Sequence, residues 1–210
     1  MEWAPPPFGR IRKNGQVVFS ADGHRFAPPA SDDADDDSGL PLAGADLTGE
    51  GLPNLVVTEW SGGAHGCLTY YIFELGDEFR VVGKIEAEHG GVAFEDLDDD
   101  GVPEIRKQDW TYAYEFTSFA ASPAPEVILR YEDGGYRVAA DLMRTELPTE
   151  EYLQAKAAEV WDDCRADWGD GREDLKSPGD WGYGTPLWAT MLELIYGGHE
   201  DLALEFFDMA

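Results

Sequence analysis

The sequence predicts a mainly β, α+β protein in which an antiparallel meander is followed by helices. Three observations carry that prediction. Between residues 16 and 140, short runs rich in Val, Ile, Phe and Tyr alternate with turn signals such as Gly76-Asp77 and Asp133-Gly134-Gly135. A ten-residue turn-and-strand pattern occurs twice, 50 residues apart. After Leu147-Pro148 the apolar spacing changes from a period of two to that of a helix. These divide the chain into a β region, residues 1–147, and a helical cap, residues 148–210.

Pro5 to Pro7 exclude a helix and begin an extended arm. The stretches Gln16 to Ser20 and His24 to Ala27 flank Ala21-Asp22-Gly23 and read as a hairpin. Ser31 to Gly39, with five Asp, reads as a solvated linker. A first repeat, about residues 40–90, supplies strands at Asn54 to Glu59, Cys67 to Leu75 and Arg80 to Ile85, with Trp60-Ser61-Gly62-Gly63-Ala64-His65-Gly66 as a glycine-rich turn. A second, about residues 91–142, continues from Glu104 through Trp110, Tyr112, Tyr114 and Phe116, which alternation places on one face of a strand. Such a row fills a core or, if exposed, stacks against a sugar or peptide. Glu126 to Arg130 and Tyr136 to Ala140 close the repeat as a hairpin.

In the cap, Thr149 is the expected N-cap of a helix whose first turn holds Glu150 and Glu151. Leu153, Ala157, Val160, Trp161 and Cys164 mark its buried face. Ala166 to Gly184 reads as a loop that pins itself through Trp168, Trp181 and Tyr183. Thr185-Pro186 starts a second helix, Gly197-Gly198 stops it, and Glu200 to Met209 forms a third. Leu187, Met191, Leu194 and Ile195 are expected to face Leu202, Phe206 and Phe207 as an αα-hairpin.

The repeated turn carries the chemistry. In Asp96-Leu97-Asp98-Asp99-Asp100-Gly101-Val102-Pro103-Glu104-Ile105, carboxylates fall at the first, third, fifth and ninth places and glycine at the sixth. That spacing turns several hard oxygens onto one cation, and calcium fits best. The twelfth place is Lys107 instead of the bidentate Glu of a helix-loop-helix site, so a strand is expected to follow. The expected ligands are Asp96, Asp98, Asp100, the carbonyl of Val102, and Glu104. The earlier copy offers Asp46, Thr48, Glu50, the carbonyl of Leu52, and Asn54, a poorer set expected to bind weakly or to serve as a structural turn. Glu59-Trp60 recurs as Asp109-Trp110 at the same offset.

The pattern D-x-D-x-D-G-x-P-E-I, repeated near 50 residues with aromatic hairpins between, resembles the FG-GAP or VCBS repeats of integrin-type β-propellers and of many secreted bacterial proteins. The run from Thr58 to His65 resembles an uncharacterised branch of that group. The resemblance covers about residues 40–142 and implies two propeller-blade-like meanders, calcium in the turns and an exported binding module with no single activity. Two copies do not close a propeller ring, so the helical tail or a second protomer is expected to cover the open sheets.

The net charge of −28 and pI near 4.1 argue against nucleic acid and anionic membrane surfaces as partners. Cations, basic proteins or a salty medium suit this acidity better, and no apolar run is long enough to span a bilayer. The start Met-Glu-Trp-Ala-Pro-Pro-Pro has no signal-peptide pattern, so an extracytoplasmic location implies a trimmed leader, with a cytoplasmic one as the alternative. Cys67 and Cys164 read as buried thiols, with a disulfide as the alternative.

The function expected is a calcium-binding, non-enzymatic module, monomer or homodimer, that recognises a protein or glycan through Trp60, His65, Trp110 and Tyr112. The alternative is a carbohydrate-active hydrolase or lyase using Glu59 and Asp109 as acid and base, or His65 for proton transfer.

Overall fold

A computed structural model describes residues 8–22, 25–27, 40–63, 67–115, 117–168 and 185–210. Among these the protein is mainly antiparallel β, with three sheets and mostly C-terminal helices, as the sequence predicts. It divides into two compact units, residues 1–108 with 128–139, and residues 109–127 with 140–210. Residues 109–127, assigned by sequence to the second repeat, cluster with the helices.

The first unit begins with a hairpin that differs from the expected one. Strand β1, Phe8–Lys13, pairs with β2, Gln16–Asp22, across Asn14-Gly15, whose φ values of 52° and 81° define the tight turn that Asn-Gly favours. Strand β3, Arg25–Ala27, leaves that hairpin and pairs instead with β4, Asn54–Trp60. With β5, Leu68–Glu74, and β6, Arg80–Glu88, it completes a four-stranded sheet in the order β3-β4-β5-β6. The second four-stranded sheet runs β7, Val92–Glu95, then β8, Glu104–Gln108, β9, Glu126–Glu132, and β10, Gly135–Val138. Both sheets are sequential meanders.

Alternation along β5 explains how these layers pack. Tyr70 and Ile72 point into a core shared by Leu47, Val56, Val82, Ile85 and Ile105, with Phe94, Leu129 and Tyr136 of the second sheet packed against it. Tyr71 and Phe73 point the other way, onto Phe19 of β2 at ring separations of 5.3 and 4.9 Å. Lys13 anchors the same hairpin to the β5-β6 turn by donating to the carbonyls of Gly76 and Asp77, the latter at 2.8 Å. At Gly83, a Cβ would lie 2.8 Å from the Tyr136 ring, so the missing side chain is what lets that ring lie on β6.

The aromatic row from Trp110 is not on a strand. Strand β8 ends at Gln108, and Asp109 Oδ1 accepts the Thr111 amide while Ala113 N–H bonds Trp110 O and Glu115 N–H bonds Tyr112 O. These local bonds satisfy the backbone in consecutive turns, so no ladder is required and the alternation has no face to mark. Trp110 stacks on Phe119 of a short 3-10 turn, Phe119–Ala121, at 5.0 Å, and Tyr114 approaches the same ring at 5.6 Å. Phe116 lies outside the described residues.

In the second unit a short helix α1, Ala140–Met143, replaces the end of the expected last strand. Helix α2, Glu150–Trp168, starts where expected, with Thr149 Oγ1 accepting the Tyr152 amide at 3.2 Å. Leu153, Ala157 and Val160 of α2 pack with Met191 and Leu194 of α3, Thr185–Tyr196, and with Ala203 and Phe206 of α4, Glu200–Met209. Gly198, at φ 81°, ends the α3 turn as its position implies. Trp161, Ile195 and Phe207 are exposed instead of buried. Each sits at the margin of its apolar stripe, where a three-helix unit covers only the central positions. Cys67 is a free, exposed thiol, against the expected burial. The Ser31 to Gly39 run, the loop from 169 to 184 and the Cys164 side chain lie outside the described residues.

Candidate metal centre

The two copies of the turn fold alike. The fourth and sixth positions have positive φ in both, at Gly49 and Gly51 (70° and 75°) and at Asp99 and Gly101 (60° and 89°). The first-position carboxylate caps the turn: Asp46 accepts the amides of Thr48, Gly49 and Gly51, and Asp96 those of Asp100 and Gly101. The ninth side chain reaches back to the second amide, Asn54 Oδ1 to Leu47 N at 2.7 Å and Glu104 Oε2 to Leu97 N at 2.9 Å. Asn54 and Glu104 are each only 1 % exposed.

Chemistry then separates the copies. In the second, carboxylate oxygens of Asp96, Asp98 and Glu104 lie within 4.8 Å of one another, with Glu104 buried and the two aspartates exposed. Oxygens about 2.4 Å from a shared calcium ion would stand no further apart than this, so the cluster can hold a cation of that kind. Asp100 is not part of the trio, and its Oδ1 accepts the Val102 amide at 2.7 Å. In the first copy Asp46 is used up by the turn. Burial pushes its carboxyl up, but the amides of Thr48, Gly51 and Gly49 and the Thr48 hydroxyl outweigh that and hold it below the ordinary carboxylate value. Glu50 pairs outward with Arg80 at 2.9 Å, while Arg80 also holds Glu74 at 2.7 Å. Among the described residues, the first turn gathers no comparable cluster.

Sequence reasoning missed Arg130. On β9, it places Nη2 2.9 Å from Asp98 Oδ2 and Nε 3.4 Å from Glu104 Oε1. Its place in a strand gave no signal, because most of the chain's 15 Lys and Arg lie in strands. The two turns also touch: a Cβ on Gly49 would lie 2.7 Å from Val102 Cγ2. Gly101 has open space around its α-carbon, so Gly101→Ala should cost about 1 kcal/mol through backbone strain alone. Gly49→Ala adds the Val102 clash to the same strain and should cost distinctly more. Urea midpoints of the two variants check this, and equal losses would contradict the contact.

The other expected site residues belong to different units or lie outside the described residues. Trp60 ends β4 and is partly buried, Trp110 and Tyr112 lie in the turns of the second unit, and His65 lies outside the described residues. Glu59, in the first unit, accepts the Tyr71 hydroxyl at 2.7 Å; burial first, then this carboxylate, pushes the phenol up to about 12. Asp109, in the second unit, accepts the Tyr196 hydroxyl at 2.6 Å through Oδ2 and the Thr111 hydroxyl through Oδ1. Compared with known proteins, the chain matches no family model, no curated protein and no solved structure.

Proposed function

We propose that this protein is a calcium-stabilised, non-enzymatic module of the FG-GAP or VCBS kind, working outside the cytoplasm and binding a protein or glycan partner. The observation that carries this reading is the trio Asp96, Asp98 and Glu104, whose oxygens share one small volume at the mouth of a glycine-containing turn. All donors are hard carboxylate oxygens, which suits calcium or magnesium over thiolate- and imidazole-seeking metals. Calcium is favoured because it accepts several protein oxygens in irregular geometry, whereas magnesium keeps much of its water. Asp100 and the Val102 carbonyl complete the proposed set. The acidity of the whole chain adds a field that concentrates cations near the turn.

Calorimetric melting in saturating calcium and in chelator tests the reading. At a calcium concentration about a hundredfold above Kd, binding to the folded state alone is worth about 2.7 kcal/mol. The β unit should therefore melt about 10 °C higher with calcium. Asp98→Ala combined with Asp100→Ala should abolish the difference. Superimposable wild-type melts in the two conditions would remove the metal from the account.

A further inference from the structure

We infer that Arg130 is a built-in competitor for the cation, a tethered guanidinium that holds the turn together when calcium is scarce and must withdraw when it binds. This rests on the calcium reading of the same turn. Arg130 bonds two of the three clustered carboxylates, Asp98 at 2.9 Å and the buried Glu104 at 3.4 Å. Those carboxylate groups are two of the three through which an ion would be held. A divalent ion and a guanidinium sharing these groups would stand within a few ångströms of each other, a like-charge contact in a partly desolvated place.

The neighbouring turn shows the device without the contest. There Arg80 holds Glu50 and Glu74, while the third and ninth places of the turn are the neutral Thr48 and Asn54, and no acidic trio is gathered beside it. Arg80 is a permanent counter-ion. Arg130 instead faces a cluster with more negative charge than one guanidinium neutralises, so a divalent ion has both the site and the driving force to replace it.

Two properties follow from a competing side chain. The metal-free turn stays folded, because its carboxylates are never left to repel one another unscreened. Calcium affinity is set lower than the trio alone would give, so the site responds to abundant calcium and is not saturated by traces of it.

Calorimetric titration of calcium into wild type, Arg130→Met and Arg130→Lys tests this directly. Methionine keeps an apolar stem without charge, and lysine keeps the charge without the two-pronged donor. Arg130→Met should bind calcium at least tenfold more tightly than wild type, with Arg130→Lys in between. The metal-free melting temperature of Arg130→Met should fall, and calcium should raise it by more than it raises wild type. Equal or weaker binding by both variants overturns the inference while leaving the calcium reading intact. Binding by Arg130→Met with none by wild type supports the inference and overturns the calcium reading for the natural chain. No calcium binding by any of the three overturns both.

Discussion

Replacing Glu104 with alanine should destabilise the β unit by about 3–5 kcal/mol, the sum of a stranded buried amide, a cavity and a lost partner of Arg130. Its carboxylate is 1 % exposed and accepts the Leu97 amide at 2.9 Å, so truncation leaves a buried donor unpaired. The same change takes from Arg130 one of the carboxylates it holds. Glu104→Gln separates the two losses, because an amide oxygen can still accept from Leu97. Asn54 already plays that part with a neutral amide in the first turn, at 2.7 Å. Glu104→Gln should accordingly cost about 1 kcal/mol, close to a net hydrogen-bond contribution. Urea unfolding in chelator, which keeps calcium out of the comparison, reads both values. Equal losses for the two variants would show that the bond to Leu97 is not what Glu104 supplies.

Phe73→Ala should cost about 3–5 kcal/mol as well, for a different reason. The ring is fully buried and sits between Phe19, at 4.9 Å, and Phe79, at 5.1 Å. Removing it leaves a cavity where β5 meets the β1-β2 hairpin and takes away a ring on which Phe19 rests. Unfolding free energy should fall, and amide exchange in β2 should accelerate more than exchange in β8. A loss below about 1 kcal/mol would mean that the hairpin does not pack on this face.

Most strands and helices of this fold were legible because their signals were local. The strands from Asn54, Leu68 and Arg80, and the helices from Glu150, Thr185 and Glu200, begin within a residue of their turn or cap signals. The N-terminal hairpin turns at Asn14-Gly15 and not at Ala21-Asp22-Gly23 because Asn-Gly supplies two adjacent residues that accept positive φ. The aromatic row misled for a deeper reason. Alternation reports a strand only when the backbone has a ladder partner, and Asp109 diverts the chain by capping Thr111.

At the candidate site the sequence placed the turn and its ligand spacing, but the relation of that turn to distant residues was not readable. Arg130 lies 32 residues from Asp98 and reaches it only because β9 lies beside β8 in the sheet. In the same way Asp100 has a ligand's spacing, yet its Oδ1 serves the Val102 amide. Spacing can nominate donors; strand pairing decides which of them converge.

The contact between Gly49 and Val102 gives the pair of turns a direction. It joins the fourth place of one turn to the seventh of the other, so the arrangement has a head and a tail instead of twofold symmetry. At the tail, Leu52 occupies the seventh place and lies against Gly76, about 3.6 Å from where a Cβ would stand. At the head, the fourth place is Asp99, which carries a side chain where a seated neighbour would need bare backbone. A further turn seated by the same contact would therefore need glycine at 99.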